Sequence, residues 1–250
     1  MIQKVFYIIY QPYKWLIFIP LFLLSTVFFI FLGIVIIFLS GPDIANRIAG
    51  WGWARFNCFI TPVKVDVIGR ENVIAHQSYV VVANHQSLFD IFVLWGFLGI
   101  DTRWVMKREL RKVPLFGLAG KLGGNIYIDR SDKKGAYENL KEARKILTNG
   151  VSLIMLPEGT RSRDGNLREF KKGAFVMSLD LGMPLLPVSI VDTKYILPSG
   201  TNDLLPGSVT LVIHKPLSSE GYNEGNLDAL ILKARGVIQE GIERYSQPRS

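Results

Sequence analysis

The sequence predicts an α/β domain, a mixed sheet flanked by helices, joined to an N-terminal apolar membrane-anchoring helical segment. Three observations carry that prediction. A charge-free apolar run fills residues 15 to 42, short β-branched runs recur from Val63 onward, and amphipathic stretches of helical period lie between them.

The apolar run comes first. "WLIFIPLFLLSTVFFIFLGIVIIFL" is long enough, at about 1.5 Å of rise per residue, to cross a hydrocarbon core of about 30 Å. Trp15, Phe18, Leu24, Phe29 and Ile36 are its candidate anchoring side chains. It exceeds the apolar core of a secretory signal and ends in "SGPD", which is no cleavage site. Pro20 and Gly33 interrupt the helix, so spanning and re-entrant courses both stay open. Lys4 and Lys14 precede the run while Arg47 and Arg55 follow it, and the charges therefore give no orientation. The next stretch, "DIANRIAGWGWARFNCFI", sets Trp51 and Trp53 among arginines as head-group-level helices do; its alternative is a helix packed on the soluble domain. The anchor is placed at residues 1–60 and the α/β domain at 61–250.

The candidate strands are "VKVDVIG", "YVVVAN", "TRWVMK", "NIYID", "VSLIMLP", "LLPVSIV" and "VTLVIH". Between the fourth and fifth, Tyr137, Leu140, Ala143 and Leu147 recur at helical spacing, and Gly150 is placed to end that helix. Leu227, Leu230, Ile231, Ala234, Val237, Ile238 and Ile242 predict a C-terminal amphipathic helix.

Composition narrows the partners. The net charge of +8 calls for something anionic: nucleic acid, a lipid head group or a phosphorylated metabolite. No nucleic-acid module is recognisable and the anchor favours lipid, so no nucleic acid is expected. Cys58 is the only cysteine, which excludes an intrachain disulfide and a cysteine-built zinc site; it reads as a packing residue.

"VVVANHQSLFD" brings chemistry. The strand ends near Asn84, and Ser87 with Asp90 three residues on has the form of a capping box, which predicts a helix starting at Ser87. His85 then lies in the strand-to-helix turn, where side chains of the first helical turn lean back and bring the Asp90 carboxylate toward the imidazole. An aspartate on one ring nitrogen leaves the other free as a base. Ser87 is occupied as a cap and no G-x-S-x-G elbow occurs, so the simplest base chemistry activates a substrate hydroxyl. Taken alone, the stretch reads equally as a capped helix with a turn histidine. "MLPEGTRSRDG" places Glu158, Gly159, Thr160 and Arg161 beyond another apolar strand, where α/β sheets bind ligands. Arginine grips phosphate with a fork; the plain reading is a turn carrying a surface ion pair.

These residues carry a resemblance. "NHQSLFD" matches the Asn-His-x-x-x-x-Asp signature of the glycerolipid acyltransferases, and "PEGTR" their second hallmark. "KRELRKVPLFGLAGKLGGNIYIDR" is similar to the block between them, and "GMPLLPVSI" resembles the fourth. The order and spacing are those of PlsC-like 1-acyl-sn-glycerol-3-phosphate acyltransferases from about Val63 to Val191.

The resemblance implies that His85 is the general base, oriented by Asp90, for attack of the lysophosphatidic acid sn-2 hydroxyl on an acyl thioester from coenzyme A or acyl carrier protein. It further implies that Arg161, helped by Lys107 and Arg130, holds the acceptor phosphate with Glu158, Gly159 and Thr160 completing the pocket. No cofactor and no metal are implied. The product is phosphatidic acid, and the place a phospholipid membrane, by that chemistry a bacterial inner membrane with the catalytic domain facing the cytosolic donors. Glycerol 3-phosphate or another lysolipid as acceptor, a thioesterase or lipid hydrolase, and a non-enzymatic basic membrane adaptor are the alternatives. Lys171 and Lys172 of "REFKKGAF" are candidates for lipid head groups or an acidic carrier, or form a solvated face.

Overall fold

All seven β-branched runs form strands. In the computed structural model, which describes residues 10–128, 144–145, 147, 150–162 and 164–246, these are β1 (Val63–Ile68), β2 (Val80–Ala83), β3 (Thr102–Lys107), β4 (Ile126–Ile128), β5 (Ser152–Met155), β6 (Leu185–Val191) and β7 (Gly207–Ile213). They make one sheet in the order β1-β7-β6-β2-β5-β3-β4. Neighbours are parallel except β6 and β7, which are antiparallel, so β1 and β7 run against the other five. Pro187 is tolerated inside β6 because the β7 ladder begins only at Val188, opposite Ile213.

The helices are α1 (Ile19–Ser40), α2 (Pro42–Ala45), α3 (Trp51–Ile60), α4 (Asp90–Phe97), α5 (Phe116–Leu122), α6 (Gly173–Leu181), the single turn α7 (Thr193–Ile196) and α8 (Leu227–Tyr245). Alternate residues of β2 feed two cores, as a pleated strand buried on both faces must. Val81 and Ala83 join α3 and α4 on one side, while Val80 and Val82 join α6 and α8 on the other.

The predicted anchor folds as a hairpin. A helical run from Tyr10 to Ser40 is long and apolar enough to cross a membrane by length and composition. Gly41, with φ +88°, then reverses the chain into α2, a π-helical turn at Asn46–Gly50, and α3. The returning arm packs antiparallel to α1. Trp53 Nε1 donates to Thr26 Oγ1 at 3.0 Å, and Tyr13 donates to the Ile60 carbonyl at 2.7 Å.

Both ends of the hairpin are tied to the α/β domain. At one end Lys14 Nζ donates to the Asn202 carbonyl at 3.0 Å. At the turn, Asp43 pairs with buried Arg103, which also pairs with buried Asp101, and Asn46 donates to the same Asp101. Phe18, Ala54, Cys58 and Ile60 share one core with Phe89 and Phe92 of the domain. Of the candidate anchoring residues, Trp15 and Leu24 are exposed, Phe29, Ile36, Trp51 and Trp53 are half-buried, and Phe18 faces inward.

The structure corrects one boundary. The regular helix starts at Asp90 instead of Ser87, because Ser87 Oγ accepts the N–H of Phe89 at 3.0 Å and the first turn closes with tight bonds, Asp90 N–H to Ser87 O and Ile91 N–H to Leu88 O. Of the helix expected before β5, Tyr137, Leu140 and Ala143 lie outside the described residues; Leu147 is buried and Gly150 has φ +86°.

Candidate active site

Three loops converge where parallel strands β5, β2 and β6 end side by side, the position at which α/β sheets bind ligands. The loop after β2 supplies His85, that after β5 supplies Glu158 to Arg161, and that after β6 supplies Thr193. Asn84 squares the end of β2: its side-chain amide donates to the Ile190 carbonyl at 2.8 Å and accepts the Ile190 N–H at 2.7 Å.

His85 Nδ1 lies 2.7 Å from Asp90 Oδ2. A carboxylate only accepts, so Nδ1 carries the proton and Nε2 presents its lone pair outward. The His85 side chain is 14% exposed, open enough for a substrate hydroxyl. Asp90 is fully buried and every contact fixes it: Oδ2 also accepts the N–H groups of Gln86 and Ser87, at 2.7 and 2.9 Å, and Oδ1 accepts the Thr193 hydroxyl. Ser87 is no nucleophile. Its hydroxyl donates to the Leu197 carbonyl at 2.6 Å while accepting from Phe89.

Glu158 is buried, and it binds backbone. Oε1 accepts the His85 N–H at 2.7 Å and Oε2 the Arg168 N–H at 3.1 Å. Burial pushes its carboxyl up from the usual range, opposed by those two backbone bonds and by the His85 side chain. The Ser162 N–H donates to the His85 carbonyl at 2.8 Å, so both backbone groups of His85 are held by the second motif. Gly159 has φ +72°, and the Lys171 side chain lies where a Cβ would stand.

Thr160 is exposed and Arg161 half-buried; among the described residues the Arg161 guanidinium has no ion-pair partner. Lys107 is exposed and pairs with Glu109 at 3.2 Å. Arg130 lies outside the described residues. His76 is an exposed turn residue with φ +62°.

Beside the site opens a cavity of about 330 Å³ with almost entirely apolar walls. Ile91, next to Asp90, and Leu156, two residues before Glu158, line its near end. It runs between α1 and β3, past Phe29, Gly33 and Trp104, to Pro42 and Asn46 at the hairpin turn.

The Acyltransferase family model matches residues 64–191, from β1 to the end of β6. The chain belongs to the acyltransferase family. Among curated acyltransferases, a 1-acyl-sn-glycerol-3-phosphate acyltransferase of Pseudomonas aeruginosa is 32% identical over 199 residues, 78% of this chain and 76% of that one. A chloroplastic enzyme of the same name from Brassica napus is 34% identical over 185 residues, covering 73% of this chain and 52% of its own length. The chain thus spans about half the length of such plastid relatives. The crystal structure of the 1-acyl-sn-glycerophosphate acyltransferase PlsC from Thermotoga maritima superposes with a TM-score of 0.78 at 30% identity, covering 99% of both chains.

Thr193 lies just past the residues matched to the acyltransferase family. No spacing rule pointed to it, because its partner stands 103 residues earlier. The backbone grip of Glu158 on His85 spans 73 residues and was equally hidden.

Proposed function

We propose that the chain is a membrane-bound 1-acyl-sn-glycerol-3-phosphate acyltransferase, moving a fatty acyl group from acyl-CoA or acyl carrier protein to the sn-2 hydroxyl of lysophosphatidic acid. The observation that carries this is the His85–Asp90 pair with Nε2 free, beside an apolar cavity and in a loop cluster that also carries Arg161, which has no ion-pair partner among the described residues. The acceptor hydroxyl gives its proton to Nε2 as its oxygen attacks the thioester carbonyl. Collapse of the tetrahedral intermediate breaks the C–S bond, and the thiolate leaves with the proton returned by His85. The product is phosphatidic acid.

Arg161 holds the acceptor phosphate and the cavity takes an acyl chain, each buried methylene gaining about 0.8 kcal/mol. Glu158 acts by fixing the His85 backbone; a carboxylate repels phosphate and both its oxygens are engaged. The hairpin lies along the domain and is tied at both ends, a geometry that supports immersion in one leaflet with the outer face of α1 in lipid; the cytosolic thioester donors make that the cytoplasmic leaflet. The test is thiol release from acyl-CoA, then from acyl carrier protein, with lysophosphatidic acid, glycerol 3-phosphate or no acceptor. Release that requires lysophosphatidic acid and is lost in His85→Ala supports the reading; release without acceptor makes the protein a thioesterase.

A further inference from the structure

The connection from β3 to β4 touches the cavity through Lys107, Leu110 and Phe116 and turns other side chains outward. Residues 107–115 are exposed without interruption. Lys107, Arg108, Arg111 and Lys112 stand there against a single acid, Glu109. Between and after them come Leu110, Val113, Leu115 and Leu118, each 39 to 52% exposed. Leucines and a valine presented in one short stretch are a patch, and patches of this kind mark interaction sites.

The backbone singles out the middle of that patch. Phe116 N–H bonds the Pro114 carbonyl at 2.6 Å across Leu115, whose φ is +60° and ψ −51°. This is a γ-turn of the strained hand, which a residue with a side chain seldom adopts. Its effect is to hold an apolar side chain out at the apex.

The patch lies beside α1. α5 packs beside α1, and Leu110 and Phe116 line the same cavity as Phe29 and Ile30 of α1. Phe28, Phe31 and Leu24 of α1 are exposed on that helix. Apolar side chains spaced among cations, next to an exposed apolar helix, fit the head-group layer of an anionic bilayer, where basic residues meet phosphates and leucines enter the acyl boundary.

We propose that the Arg111–Leu118 ridge is a second membrane contact, which inserts Val113, Leu115 and Leu118 into anionic phospholipid beside the cavity. This rests on the reading of α1 as membrane-embedded. With the hairpin on one flank and the ridge on the other, a lysolipid enters sideways from the leaflet.

The native chain suits a labelling experiment, since its one cysteine, Cys58, is 1% exposed. An environment-sensitive thiol probe is placed at Leu115→Cys, at Val113→Cys as a second ridge position, at Phe28→Cys on α1 and at Leu232→Cys. Leu232 is exposed on α8, across the sheet from the hairpin. Full-length labelled proteins are reconstituted into vesicles of phosphatidylcholine and phosphatidylglycerol, or of phosphatidylcholine alone, each with brominated lipid as quencher. In the anionic vesicles both ridge probes and the Phe28 probe are quenched and the Leu232 probe is not. Arg111→Glu with Lys112→Glu lowers ridge quenching at least threefold and leaves Phe28 quenching in place. Ridge probes unquenched while Phe28 is quenched overturn the ridge and spare the anchor; ridge probes quenched equally without anionic lipid overturn its charge-based recognition. Phe28 unquenched overturns the anchor reading, and the ridge with it.

Discussion

Thr193, the first residue of α7, donates its hydroxyl to Oδ1 of Asp90, the carboxylate whose other oxygen holds His85. Both residues are fully buried. Thr193→Val keeps the shape and leaves a buried carboxylate oxygen short of a donor, at a cost of about 1–3 kcal/mol. The expected result is a kcat about tenfold lower, equivalent to about 1.4 kcal/mol, with KM unchanged for both substrates. Thr193→Ser should restore the rate. Steady-state kinetics decide this, and a Val variant at full kcat removes Thr193 from the positioning of the pair.

His85→Ala should reduce turnover to background in a protein whose circular dichroism is unchanged. Asp90→Asn should cost up to about 10⁴-fold, the size of effect known for the aspartate of a hydrolytic triad. It should also lower the melting temperature, since Asp90 accepts the N–H groups of Gln86 and Ser87 as well. Single-turnover rates and melts on the same preparations separate the two effects.

Glu158→Gln sets an amide N–H against one of two backbone N–H donors, those of His85 and Arg168. A fall in kcat and in stability of about 1–3 kcal/mol is expected, with no change in KM for the phosphorylated acceptor. A raised acceptor KM with normal kcat would return Glu158 to the phosphate pocket.

Arg161→Ala should raise the KM for lysophosphatidic acid at least about tenfold and leave the KM for the thioester alone, as loss of a charge-assisted contact requires. Arg161→Lys should recover only part, because a point charge replaces a fork. Titration of acceptor at saturating donor measures both.

Ser189 joins β6 to α8: its hydroxyl donates to the Ile238 carbonyl at 2.9 Å and lies 2.8 Å from His214 Nε2. Burial lowers the proton affinity of His214 from its ordinary value of 6.5, with Glu240 acting weakly the other way. A group depressed on folding adds stability above its unfolded value, and that stability is lost as pH falls from about 6.5 through the folded value. The melting temperature should therefore drop between pH 7.5 and 5.5, and drop less in His214→Gln. Parallel pH-dependent slopes would rule out His214 as the titrating group.

Seven strands were legible because β-branched runs announce themselves locally, and the His85–Asp90 contact was legible because it spans a single turn. What stayed hidden depends on chain closure. Glu158 reads as a ligand in a motif, yet its neighbours in space are backbone groups brought by a parallel pairing of β2 with β5. Phe18 reads as lipid-facing, since periodicity cannot say which side of an apolar helix meets protein. The helix start at Ser87 failed for a related reason: its capping atoms were diverted to the loop at Leu197 and to the turn itself.

The shared core of hairpin and sheet limits how this protein can be handled. Cutting the chain at residue 60 would strip Phe18, Ala54, Cys58 and Ile60 from contact with Phe89 and Phe92, and would leave Arg103 without Asp43. It would also open one whole wall of the cavity. Truncation at residue 60 is expected to unfold the α/β domain or lower its melting temperature sharply, because it removes part of a shared core. The exposed apolar face of α1 belongs to the same folding unit as the sheet, so solubility is to be sought by redesign of that face and not by its removal.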